Sequence, residues 1–392
     1  MFKSVLSLTL AAALGTASFG QTTLTAIPGE AAAAKYASIS QEILRAIEKG
    51  NEYLKSKQNP EGYWAQPSYP ALTALAVTAY MRDPANQGKP VPEYIRKGYD
   101  FILKSQKEDG SIFNRGMSSY NTAVCMMALL AANKEEYAPA ILKGRAYLIK
   151  QQNHFAPDNP YNGGIGYGDK QAPPIADLSN TSLALEAIYY SQKLAKDGKY
   201  GEQPDLDWNA ATEFINRCQQ NPAVNKEPWV SNDKSQLGGF VYRPGVSSAR
   251  DKKSAAFDKA EPPKAYGSMT YAGMQSLIYA NVDKNDPRVK LALKWLENSY
   301  SLDENPGMGV QGLYYYYQAM SKALSAMGID TLTLDNGCKV DWRDELANKL
   351  ISIQKSDGSW VNTNNRWWEA DPVLVTSYCV LALEQLYHSI PR

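Results

Sequence analysis

Histidine is nearly absent from this 392-residue sequence, occurring only at His154 and His388. That scarcity argues against chemistry needing several imidazoles, whether as metal ligands or in a Ser–His–Asp relay. An excess of either charge is missing too. The 41 basic and 40 acidic side chains leave a formal net charge of +1, which gives no basic field, so no nucleic-acid partner is expected. Cysteine occurs four times, at Cys125, Cys218, Cys338 and Cys379, never as a CxxC pair. Cys125 and Cys379 lie in apolar helical runs and are expected as buried free thiols; the spacing leaves a Cys218–Cys338 pairing open. Phenylalanine is scarce, at 8 against 26 tyrosines, so the chain favours rings that carry a hydrogen-bonding tip.

What is present is ordinary globular material. The chain is 44% hydrophobic and 21% charged, enough for a large core and against disorder. The N-terminus, "MFKSVLSLTLAAALGTASFGQ", has a lysine at position 3, an apolar run from Val5 to Leu14 and small residues up to Gly20. This is the pattern of a secretory signal peptide with cleavage near Gly20–Gln21, and the run is too short to span a bilayer. Residues 1–20 are therefore expected to be removed, residues 21–37 to form an extension, and 38–392 a single domain. A periplasmic or secreted location follows, with no transmembrane segment after signal removal.

The phrase "SQKEDGSIF" at Ser105 returns as "IQKSDGSWV" at Ile353, each time after an amphipathic helical pattern. "YIRKGYDFILKSQ" places Ile95, Tyr99, Ile102 and Leu103 on one stripe; "DWRDELANKLISIQ" does so with Trp342, Leu346, Leu350 and Ile353. Similar segments lead to turns at Gly62–Trp64, Asn162–Gly168, Gly238–Tyr242 and Asn305–Gly309, making six. After each turn stands a helix apolar on nearly every side: "ALTALAVTAYM", "NTAVCMMALLA", "NTSLALEAIYY", "MTYAGMQSLIYA", "GLYYYYQAMSKAL" and "VTSYCVLALEQLY". Such helices are buried all round. Six amphipathic and six buried helices predict an all-α fold, an outer ring packed on an inner ring and closed so that every repeat has two neighbours. The recurring turn is then a clasp between repeats. Its glycine ends a helix in the left-handed conformation, its aromatic packs between neighbours, and its glutamine satisfies helix-end backbone groups. Two long loops rich in Pro, Gly and Asn, around residues 154–177 and 221–268, lie on one rim, where binding groups gather.

Q-x-x-D-G-S-W clasps followed by apolar helices resemble the terpenoid cyclase and protein prenyltransferase superfamily over residues 40 to 390. Within it the chain is most similar to squalene–hopene cyclase-like, prenyltransferase-repeat proteins. The resemblance implies an (α/α)6 toroid with a central cavity open at one rim. It also exposes departures. Triterpene cyclases carry D-x-D-D-T where this chain has "DLSNT": Asp177 and Thr181 match, but Ser179 and Asn180 replace two carboxylates. A serine hydroxyl is too weak an acid to protonate an alkene. Where prenyltransferases hold zinc, Gln311, Leu313 and Val375 stand in place of Asp, Cys and His, and these cannot bind the metal. No metal and no cofactor is expected.

Residues opening the inner helices should face the cavity mouth, where helix N-termini add donors. The catalytic candidates are Asp177, Glu369 and Asp371, with capping as the alternative role for the aspartates. Ligand-binding candidates are Tyr69, Tyr120, Asn180, Arg243, Tyr266, Gln311, Tyr314, Tyr315, Arg366, Trp367 and Trp368. Of the run Tyr314–Tyr317 at most two rings can line a cavity, because neighbours on a helix face different ways. Three functions are expected to compete. The first is binding of an apolar or isoprenoid-like small molecule or lipid in the central cavity. The second is a non-catalytic scaffold recognising an envelope protein. The third is polysaccharide binding or lyase chemistry.

Overall fold

Five glutamines repeat one arrangement around the molecule. Gln58, Gln106, Gln152, Gln219 and Gln354 each donate from Nε2 to the carbonyl of their own turn glycine. Each also donates to a backbone carbonyl of a neighbouring repeat, at Tyr94, Ala140, Asp207, Arg288 and Ala46 respectively. The last of these ties the chain's final clasp to its first helix and so closes a ring.

The computed structural model describes residues 28–168, 175–249 and 262–390. The expected signal peptide and the cleavage site lie outside them. Twelve α-helices alternate between two rings. The outer set is α1 (Pro28–Ser56), α3 (Glu93–Lys104), α5 (Ala138–Lys150), α7 (Trp208–Cys218), α9 (Pro287–Asn298) and α11 (Trp342–Ser352). The inner set is α2 (Pro70–Arg82), α4 (Ser118–Ala131), α6 (Leu178–Lys196), α8 (Gly267–Tyr279), α10 (Leu313–Met327) and α12 (Pro372–Ser389). Residues 28–37, expected as part of an extension, are helical and continuous with α1. The only strands among the described residues are a two-residue pair, Leu332–Thr333 with Lys339–Val340, between α10 and α11.

Each inner helix packs on the next, α2 on α4, α4 on α6, α6 on α8, α8 on α10 and α10 on α12, and α12 packs back on α2. The outer helices cover this ring, with α1 lying on both α11 and α12. The expected (α/α)6 toroid is the observed fold. Its clasp glycines have a steric reason. Gly62, Gly110, Gly163, Gly238 and Gly358 all have φ between +83° and +97°, and a Cβ on any would stand within 2.5 Å of a backbone carbonyl oxygen of the adjoining outer helix. The residues at the clasp aromatic position donate their N–H to an inner-helix threonine hydroxyl: Trp64 to Thr73, Ile112 to Thr122, Ile165 to Thr181, Phe240 to Thr270 and Trp360 to Thr376. The sixth clasp departs from the others. At Asn305–Gly309 no glutamine is present, and the Asn305 side chain accepts from the N–H of Ser268 and donates to the Ser268 hydroxyl and the Gln311 carbonyl.

Cys125, Cys218 and Cys379 are buried free thiols and Cys338 is an exposed one. No helix among the described residues is long and apolar enough to cross a membrane.

Candidate ligand-binding site

Inner helices all run with their N-termini at one end of the ring, and two of them carry an aspartate cap there. Asp177 caps α6 by accepting from the N–H of Asn180 (2.8 Å), and Asp371 caps α12 by accepting from the N–H of Val373 (2.8 Å). Aspartate at this position satisfies one of the orphan donors of the first turn. The Asp371 charge also acts on the Tyr53 phenol. Asp177 is different: it is 2% exposed, and its second oxygen accepts from Asn180 Nδ2 at 2.8 Å. Burial pushes its pKa from 3.8 up to about 6, against the opposing pull of the Asn180 donors, the Tyr242 hydroxyl and the Arg243 charge. Asn180 Oδ1 and Arg243 Nε are buried with no hydrogen-bond partner among the described residues. Buried Asp177 and Asn180 and part-buried Tyr242 and Arg243 thus form one polar group at the mouth.

Tyr120, on α4, and Tyr315, on α10, come from helices on opposite sides of the ring. Tyr378 of α12 joins them: its phenol and that of Tyr120 act on each other's pKa, and its ring lies 6.0 Å from that of Tyr315. Tyr315 also reaches the Ser179 hydroxyl of α6. These side chains form a rung across the lumen just below the mouth. Tyr120 and Tyr315 remain partly accessible, although desolvation by surrounding protein raises the pKa of both phenols. One turn further down α6 from Ser179, and two turns down α4 from Tyr120, the same faces carry Leu183 and Met127, each also partly accessible.

The other tyrosines of the run point elsewhere. Tyr314, Tyr316 and Tyr317 donate to the carbonyls of Val361, Ser301 and Leu302, so Tyr315 alone of the four joins the rung. Tyr266 is 2% exposed, and burial raises its pKa. Glu369, the remaining catalytic candidate, is 1% exposed and holds structure together. It accepts from the N–H groups of Tyr314 and Tyr315 and from Asn362 Nδ2. Beside it stand Trp367 and Trp368, 46% and 39% exposed, with φ of +54° and +65°. Two consecutive bulky residues in the left-handed region are strained. The pair spans the rim: Trp367 lies against Gly312 at the start of α10, and Trp368 packs on Tyr69 before α2 at 4.6 Å. Arg366 stacks over Trp367 at 4.4 Å and donates to Gln311 Oε1.

An open depression of about 760 Å³ lies on the outer wall, away from this site. Its Glu93, Arg96, Lys97, Asp100, Lys134 and Glu136 side chains carry both signs of charge and leave no net field for a ligand. The lumen is the better candidate.

No protein-family model matches the chain. Solved structures do. Type II terpene cyclase MstE from Scytonema, without ligand, superposes with a TM-score of 0.54 at 11% identity, covering 89% of this chain and 99% of that one. Candida albicans protein geranylgeranyltransferase-I, complexed with GGPP, gives 0.55 at 15% identity, over 87% and 91%. The fold is that of terpene cyclases and protein prenyltransferases. A single-residue variant of the same cyclase, in complex with its substrate geranylgeranyl dihydroxybenzoate, matches at 0.53 and 10% identity, over 90% and 99%. At such identities the likeness is one of fold.

Within that fold Thr181, Leu313 and Val375 serve packing here. Thr181, matched to the cyclase threonine, belongs to a clasp, where its hydroxyl both accepts from and donates to the Ile165 backbone. Leu313 and Val375 are buried core residues. No group of three His, Cys, Asp or Glu side chains that could hold a metal ion occurs among the described residues. Asp177, its pKa pushed by burial up to about 6, is the carboxylate that this chain keeps in the Asp177–Thr181 stretch. Sequence reasoning missed the clasp threonines, although each inner helix with such a clasp shows a threonine in its first two turns.

Proposed function

We propose that this protein, after export, binds an apolar, isoprenoid-like ligand in the lumen of its ring. The observation that supports this most is the pair Tyr120 and Tyr315, on opposite helices, enclosed by protein and still accessible. Leu183 and Met127 continue the apolar wall beneath them. Aromatic and aliphatic walls with a few convergent polar groups are the usual make-up of a small-molecule site. The tyrosine hydroxyls, kept protonated by burial, and the Asp177 group at the mouth suit a ligand with one oxygen-bearing end. With Ser179 and Asn180 in place of two carboxylates, cyclisation by the family's acid is not part of the proposal, nor is zinc-dependent prenyl transfer. Export is supported by the N-terminal pattern of lysine, apolar run and small residues.

One observation favours a second reading. The exposed, strained Trp367–Trp368 pair beside Arg366 offers flat apolar surface at the rim, which suits a sugar ring. Native mass spectrometry of the protein purified from its own host envelope separates the two. A co-purified polyprenoid or other apolar lipid is the expected result. A bound saccharide, or an envelope protein held to a ring without small ligand, would replace this proposal by the corresponding alternative.

A further inference from the structure

Five of the joints between successive outer helices are built alike, and the joint from α9 to α11 is not. At the five, the clasp glutamine donates to a backbone carbonyl in the next outer helix or its cap. The turn glycine lies against a backbone carbonyl of that same helix. Between α9 and α11 both are missing. Tyr300 stands two residues beyond the end of α9, the place that Gln58, Gln106, Gln152 and Gln354 hold after their helices. A Cβ on the turn glycine Gly307 would meet Ala265 and Tyr266, ahead of α8, with the nearest atom at 3.0 Å. The threonine bond is lost as well, because α10 contains no threonine.

Charged side chains at the surface make this joint instead. The Tyr300 hydroxyl donates to Glu345 Oε2 at 2.8 Å, and Lys349 donates to Asp303 Oδ1 at 2.6 Å, with the Asp303 side chain 90% exposed. Two more ties run from α9 to the strand pair ahead of α11. Glu297 accepts from the N–H of Thr333 at 2.8 Å, and Lys294 pairs with Asp335 at 3.5 Å. Exposed pairs of this kind contribute about 0–1 kcal/mol each and weaken as salt rises. The loop after α9 stays with its own repeat, because buried Tyr316 and Tyr317 of α10 donate to the Ser301 and Leu302 carbonyls. On its far side α11 is tied to α1 by Gln354 and by Tyr36, whose hydroxyl donates to Asp341. Behind the joint, α10 packs on α12 and takes its cap from Glu369. The weakness therefore lies in the outer layer, with the α10–α12 contact placed as a hinge.

We infer that the α9–α11 joint is where the closed ring opens: these two helices part locally, turning about the α10–α12 contact, while the other five joints stay shut. Tyr300–Glu345 and Lys349–Asp303 are the latch, and salt releases it. A ring locked alike at every joint changes its width only by unfolding. One sprung joint lets it do so short of that, as a hinge between two rigid halves. The inference is independent of what the lumen binds.

Distances between paired nitroxide labels on the whole protein test it, in a Cys338→Ser background that removes the exposed thiol. One pair, at Lys290 and Asn348, crosses the α9–α11 joint; the control pair, at Arg96 and Lys143, crosses the clasped joint from α3 to α5. All four positions are exposed. Spectra are taken at about 0.1 M and about 1 M salt, which shortens the screening length from about 10 Å to about 3 Å. The control pair is expected to give one narrow distance at both. The Lys290–Asn348 pair should show a second, longer distance whose population rises about threefold with salt. Tyr300→Phe combined with Lys349→Gln should raise that population severalfold at low salt and remove its salt dependence. If the double variant does not fold, the salt series on the unsubstituted joint decides alone. One narrow distance at both joints, or a longer one indifferent to salt and to the substitutions, overturns the inference. So does a longer distance that grows equally at the control joint.

Discussion

The Glu369 carboxylate caps a helix to which it does not belong, accepting from the backbone N–H of Tyr315 at 2.9 Å. The residue before α10 is Gly312, which has no side chain to do so. Burial raises the Glu369 pKa although three backbone donors and Asn362 pull it down. Glu369→Ala should therefore cost about 2–3 kcal/mol, the loss of a cap plus stranded buried donors. Urea unfolding measures it. Glu369→Gln should recover part of that stability and keep ligand affinity within about twofold; a selective loss of affinity in the glutamine variant would move Glu369 from frame to binding group.

Asp177 makes stability depend on pH in a defined direction. Its folded-state pKa, about 6, lies above the ordinary 3.8, so the folded protein holds the proton more tightly than the unfolded chain. The associated stability is fully present below about pH 4 and is lost as pH rises through about 6, amounting to about 3 kcal/mol. Asp177→Asn keeps a capping side chain and removes the titration. Denaturation series between pH 4 and 8 should show the wild type losing ground to the variant across that window. Parallel curves would contradict the burial of an ionisable Asp177.

Much of this was legible in the sequence, and the limits have physical causes. Alternation of amphipathic and wholly apolar helices is a local pattern, so α1 to α12 and their ring order could be read from it. The glutamine and glycine of the clasp recur at fixed spacing in most repeats, and they too stood out. The threonine partner did not, because 9 residues separate Trp64 from Thr73 but 30 separate Phe240 from Thr270, and varying loop length hides the pairing. Glu369 looked like a rim carboxylate because its partners lie 54 and 55 residues away. The Lys322–Glu186 bridge spans 136 residues, and only ring closure brings its ends together.

Ring closure itself can be weakened at one atom. Gly358 has φ +87°, and a Cβ there would stand 2.3 Å from the Lys49 carbonyl oxygen on α1. Gly358→Ala should cost about 3 kcal/mol or more, since both the backbone conformation and the contact forbid it. Gly337 provides the control: its φ is +79° but nothing lies within 4 Å, so Gly337→Ala should cost about 1 kcal/mol. Equal costs in thermal unfolding would mean that the final clasp does not hold α1.

The hollow lumen is tested most directly by filling it. Leu183 shares the α6 face of Ser179 and Glu186 and is partly accessible, so Leu183→Trp places an indole where the ligand chain would lie. Farnesol titrations of wild type and variant, with melting temperatures taken alongside, give the answer. The predicted result is saturable binding to the wild type and at least a tenfold loss in a variant that melts within a few degrees of it. Unchanged affinity in a well-folded Leu183→Trp protein would contradict a ligand site inside the ring.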